Sequence, residues 1–156
     1  MTIEDVDFVV ALWREEGRWV AVPLPPHAAD TLESLSHALR QQPGEGGVIG
    51  MVSLDRDVAM ILRVTGDHSR AVISDIAAAD DYDLAADLAE AIDLLDDDEA
   101  GVAGDTALLA DLGVPADHLE MLLDDEELYP DEVLQAVADR LGCPAEFQTA
   151  RRDPIA

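Results

Sequence analysis

The most suggestive reactive residues in this chain are His118-Leu119-Glu120. A zinc-dependent base deaminase pairs His-x-Glu with Pro-Cys-x-x-Cys, because one imidazole and two thiolates hold the metal while the glutamate moves protons. The second half of that pattern is missing: Cys143 is the single cysteine, and it precedes Pro144. One thiol neither closes an internal disulfide nor builds a thiolate zinc site. His27, His37, His68 and His118 stand apart, with no second histidine three or four residues away. Neither a helical metal pair nor an activated nucleophile is signalled. Ser34, Ser36, Ser53, Ser69 and Ser74 lie outside any Gly-x-Ser-x-Gly elbow.

Two acidic runs, Asp96-Asp97-Asp98-Glu99 and Asp124-Asp125-Glu126-Glu127, offer the oxygen ligands that hard cations prefer. Neither has the spacing of a calcium loop: counted from Asp96, Gly101 falls at the turn glycine but the twelfth position is Ala107. They read as solvated charge. Gly44-Glu45-Gly46-Gly47-Val48-Ile49-Gly50 has the glycine density of a phosphate loop, yet it leaves a helix and enters a strand. Phosphate cradles run the other way, from strand to helix N-terminus. The expectation is a protein without catalytic residues, bound metal or cofactor, and not an enzyme.

The elements that carry these residues follow from periodicity. Val6 to Arg14 and Arg18 to Val22, separated by Glu15-Glu16-Gly17, predict a hairpin in which Trp13 and Trp19 pack across the strands. Pro23, Pro25 and Pro26 end it and lead into a helix over Ala28 to Gln42, with Leu32, Leu35 and Leu39 on one face. Gly47 to Leu54, Val58 to Thr65 and Arg70 to Ala77 are apolar runs whose connectors are too short for crossover helices, which predicts an antiparallel meander. Leu84, Leu88, Ile92 and Leu95 mark a second helix. The fold class is therefore α+β, a five-stranded antiparallel sheet with flanking helices, in the order of the longin, roadblock and profilin-like group.

Charge changes abruptly along the chain. The net charge is −26, from 35 acids and nine arginines with no lysine. Residues 1–70 hold 11 acids and 6 arginines, whereas residues 71–139 hold 22 acids and no Lys or Arg. With 49% hydrophobic residues the chain still has the means to bury a core. The expected organisation is an α+β domain over 1–95, an acidic and glycine-bearing linker over 96–104, a helical module over 105–142 and a tail over 143–156. Three short helices are expected in the module, the first capped by Asp105 and ended by Gly113, the second from about Asp117 to Leu123, the third opened by Pro130 and ended at Gly142. No stretch reaches the ~18 apolar residues of a membrane span. The acidic start Met1-Thr2-Ile3-Glu4-Asp5 is unlike a secretory signal, so a cytoplasmic location is expected.

Three stretches together resemble the tRNA adenosine deaminase-associated protein family of actinobacteria. They are Val10 to Val20, Leu39 to Leu54 with its Pro-Gly-Glu-Gly-Gly, and Leu109-Ala-Asp-Leu-Gly-Val-Pro115 with Leu128-Tyr-Pro-Asp-Glu-Val-Leu134. The resemblance implies an association with a tRNA adenosine deaminase and carries no catalytic residue with it. The leading expectation is a non-catalytic accessory protein that binds another protein, with Asp124, Asp125, Glu126, Glu127, Tyr129, Asp131 and Glu132 as the candidate contact residues. Direct nucleic-acid binding is not expected, because 22 carboxylates without a cation repel phosphates. Two alternatives are an acidic nucleic-acid mimic that inhibits a basic protein and an enzyme with an unrecognised carboxylate site.

Overall fold

A computed structural model describes residues 6–42, 47–65, 68–75, 82–91, 102–125 and 127–152. The strands are β1 (Val6–Glu15), β2 (Arg18–Leu24), β3 (Val48–Leu54), β4 (Val58–Thr65), β5 (His68–Ile73) and β6 (Ala103–Gly104). The helices are α1 (Leu32–Arg40), α2 (Asp83–Ala91), α3 (Ala116–Leu123), α4 (Pro130–Leu141) and α5 (Pro144–Arg152). All strand pairs are antiparallel, in the order β2-β1-β3-β4-β5-β6.

The α+β class and the antiparallel meander are as expected, but the sheet has six strands rather than five. The sixth is only Ala103–Gly104, paired with Val72 and Ile73 inside the stretch read as linker. Gly104 has φ +105°, and a Cβ there would collide with the backbone of Ala71 and Val72. A two-residue strand has no periodicity to betray it.

Turn chemistry fixes the register. Glu16 and Gly17 both have positive φ, 53° and 81°, the geometry that matches a two-residue hairpin to the twist of its strands. The helix expected from Ala28 is divided into a 3-10 turn over Pro26–Ala29 and α1, which starts at Leu32 because Thr31 caps it. The Thr31 hydroxyl accepts from the Ser34 backbone N–H at 3.0 Å, and the Ser34 hydroxyl accepts from the Thr31 N–H at 3.1 Å. Ile92 and Leu95, expected on the second helix, lie outside the described residues.

Both faces of the sheet are covered. Val9, Ala11, Trp13, Val52, Met60, Leu62 and Ile73 point to α1 and α2, where Leu35, Leu39, Leu84 and Leu88 meet them. The alternate residues Val10, Leu12, Ile49, Met51, Ile61 and Val72 point to the C-terminal helices and their Leu109, Leu119, Leu134, Val137 and Phe147. The result is three layers, helix, sheet and helix.

The first helix expected in the C-terminal region is only a 3-10 turn over Ala110–Leu112, ended by Gly113 at φ +103°. Asp105 does cap the preceding turn, accepting from the Ala107 N–H at 3.0 Å. Residues 144–152, read as tail, form α5. Phe147 and Ala150 are buried there, and the Phe147 ring meets that of Phe8 edge-on at 5.9 Å.

Candidate functional site

A cleft of about 520 Å³ opens where three distant segments converge. The β3–β4 turn supplies Arg56 and Asp57, the end of β5 supplies Ser74 and Asp75, and the α3–α4 connection supplies Asp124, Asp125 and Tyr129. Ala59, Leu123, Pro130 and Val133 are buried and form an apolar floor.

The turn that carries Arg56 is built deliberately. Asp55 and Arg56 both have φ +49°, a left-handed conformation that costs L-residues roughly 1–2 kcal/mol each. Asp7 holds it in place: one carboxylate oxygen accepts from the Ser53 hydroxyl at 2.7 Å and from the Arg56 N–H at 2.6 Å. The Arg56 guanidinium then sits 5.1 Å from the centroid of the Tyr129 ring, within cation–π range. On the β5 side the Ser74 hydroxyl accepts from the Ala59 N–H at 3.0 Å, which ties the end of the strand to β4.

The seven candidate contact residues divide. Asp124, Asp125 and Tyr129 line the cleft. Asp125 also accepts from the Glu127 N–H at 2.9 Å, and Glu127 is exposed. Asp131 pairs with Arg151 at 2.9 Å, and Glu132 accepts from the Tyr129 N–H at 3.0 Å, so both serve the start of α4. Glu126 lies outside the described residues. Arg56, Asp57, Ser74 and Asp75 belong to the site although the sequence marked Asp55-Arg56-Asp57 only as a connector; the isolated arginine in an acidic turn was the available signal.

Two carboxylates away from the cleft, Asp105 and Asp111, are held below the usual range by arginines and are structural. Arg63 on β4 donates to both oxygens of Asp111, at 2.5 and 3.0 Å, and to the Leu108 carbonyl at 2.8 Å. The hydrogen bond from Arg63 holds the Asp111 carboxyl below its ordinary 3.8. Arg70 does the same to Asp105 across 2.6 Å, and Asp105 in turn raises the Arg70 guanidinium. Two sheet arginines thereby fasten the acidic segment after β6.

Cys143 is fully buried between α4 and α5. Burial, with help from Glu146 and Asp139, pushes its thiol up to about 12, the opposite of an activated nucleophile. His118 and Glu120 lie on α3, and among the described residues no three His, Cys, Asp or Glu side chains gather as a metal site. Among the same residues no helix is long and apolar enough to cross a membrane.

Comparison with known proteins gives the family. A family model described as Rv3753c-like tRNA adenosine deaminase-associated protein matches residues 7–144. The chain belongs to that family. It is also 36% identical over 141 residues to Protein Rv3753c of Mycobacterium tuberculosis, covering 86% of this chain and 82% of the relative. The matched span of the Rv3753c-like family runs from β1 into the first residue of α5 and so takes in all three layers. No solved structure matches the chain.

Proposed function

We propose that the chain is a non-catalytic cytoplasmic accessory protein that binds another protein, and that its partner is a tRNA adenosine deaminase. The family description supports the identity of the partner. The observation that carries protein binding is the placement of Met121 and Tyr129, the large hydrophobic residues left exposed among those described, at 61% and 55%. Both belong to the α3–α4 segment, beside exposed Asp124 and Asp125. Tyrosine and methionine are enriched at protein interfaces relative to the rest of the surface, which supports this reading.

The test is calorimetric titration of the purified chain with the deaminase of the same organism. Saturable binding supports the reading, and absence of heat and of co-elution overturns it. The 22 carboxylates without Lys or Arg in 71–139 favour one second reading, in which the acidic surface imitates a nucleic acid and occupies the phosphate-binding face of the deaminase. A ternary complex with tRNA supports the accessory role, whereas competition between chain and tRNA supports the mimic.

A further inference from the structure

The cleft at Arg56 and Tyr129 has a chemistry more specific than a general acidic surface. Its lining holds Asp57, Asp124 and Asp125 beside Asp75, against one arginine, so even with Asp75 set aside carboxylates exceed cations by two. Its floor is aliphatic, and Tyr129 stands exposed at the rim, its ring in contact with the Arg56 guanidinium. The chain already places one guanidinium on that ring, from a turn held by Asp7 in a costly conformation.

We propose that this cleft receives an arginine-bearing segment of a protein partner, the incoming guanidinium lying against Tyr129 among the aspartates and its aliphatic stem on the floor of Leu123, Pro130 and Val133. This rests on the reading that the chain binds a protein. The volume, about 520 Å³, lies in the range of specific ligand sites and far exceeds a bare cation. An arginine side chain matches both halves of the lining, since its stem buries on apolar surface while its head seeks carboxylates and aromatic faces. Nucleic acid has the wrong sign. A second copy would bring 35 acids against nine arginines to the same place, so repulsion disfavours it. A basic, otherwise apolar segment of another protein has complementary charge.

The probe is a capped Leu-Arg-Leu peptide titrated into the intact chain and followed by backbone amide NMR. Its control is the same peptide with citrulline, which keeps the shape and loses the charge. The expected result is shift changes confined to Ala59, Ser74, Asp124, Leu128 and Val133, with citrulline binding at least about fivefold more weakly. Tyr129→Ala should lower affinity about five- to tenfold, as loss of a cation–π contact does, and Tyr129→Phe should retain it. Tyr129 is exposed, so both variants are expected to fold, which circular dichroism verifies. Equal binding of the citrulline peptide, shifts scattered over the acidic surface, or an unaffected Tyr129→Ala would each overturn the proposal.

The deaminase separates the two ideas. If it binds wild type and Tyr129→Ala equally, the cleft proposal fails while the accessory role stands. If it binds neither while the peptide occupies the cleft, the role fails and the cleft stands. A free chain found as a dimer that covers the cleft would also overturn the proposal.

Discussion

Replacing Asp111 by Asn probes how the C-terminal layer is held. The Arg63 side chain is 9% exposed and that of Asp111 60%, so the pair is buried from one side only. Breaking a fully buried pair costs about 3–5 kcal/mol, but solvent reaches this carboxylate and will screen part of the loss. A hydrogen bond to a charged group contributes about 1.5–3 kcal/mol, and the Leu108 carbonyl remains as an acceptor for Arg63. A destabilisation of about 2 kcal/mol is expected, and with it a fall of roughly 4–8 °C in Tm for a chain of this size. Asp105→Asn is the control, because Arg70 and Asp105 are both exposed, at 42% and 40%, and such pairs contribute about 0–1 kcal/mol.

Urea unfolding of the two variants measures both costs. The pH dependence supplies an independent check. The folded Asp111 carboxyl titrates below 3.8, so the unfolded chain binds more protons as pH falls through that region. The stabilisation is thus fully present above the unfolded value and is lost as pH falls through the lowered folded one. The difference between wild type and Asp111→Asn should be constant near neutral pH and shrink below about pH 4. A cost for Asp111→Asn no larger than that for Asp105→Asn, or a difference that persists at low pH, would refute the argument.

Phe147→Ala should destabilise the whole domain by about 3–5 kcal/mol in a single transition, because the ring is fully buried in the sheet-facing core; separate melting of the C-terminal helices would contradict this. Native Cys143 should resist a thiol reagent at pH 8 and react once urea unfolds the chain, in keeping with its burial and its pKa near 12. Free tRNA should show no retardation with the chain in a gel-shift titration at low salt, where binding driven by counterion release would be strongest.

The hairpin, the helix over Leu32–Arg40 and the meander were legible because apolar spacing and turn residues agree there. The third layer was also partly written in the sequence. β3 and β4 are buried at consecutive positions, Val48 to Leu54 and Val58 to Val64, and their largely apolar sequences, interrupted only by Ser53 and Arg63, fit a sheet covered on both sides. α5 escaped notice because Pro144 can equally end one helix or open the next, and only Phe147 and Ala150 give its polar sequence an inward face. The cleft could not be read as a unit. Its walls come from residues near 56, 75 and 129: the pairing of β4 with β3 and β5 joins the first two, and the packing of α4 on the sheet brings in the third. The acids of the α3–α4 connection were visible, and the helix opened by Pro130 put Asp131 and Glu132 in its first turn, but nothing in the sequence showed that Asp124 and Asp125 face the cleft.

The two-sided sheet also dictates an order of assembly during synthesis. Strands β1 to β5 emerge from the ribosome first, and the face bearing Val10, Leu12, Ile49, Met51 and Ile61 gains its cover only from Leu108 onward, completed at Phe147 and Ala150. At roughly 5–20 residues per second, that apolar face stays open for several seconds, in which neighbouring nascent chains are its natural competitors. The 22 acids that follow in residues 71–139 arrive during this interval, before the covering layer is complete. Like charges on two such chains repel, which opposes contact between their open apolar faces until the helices close over them.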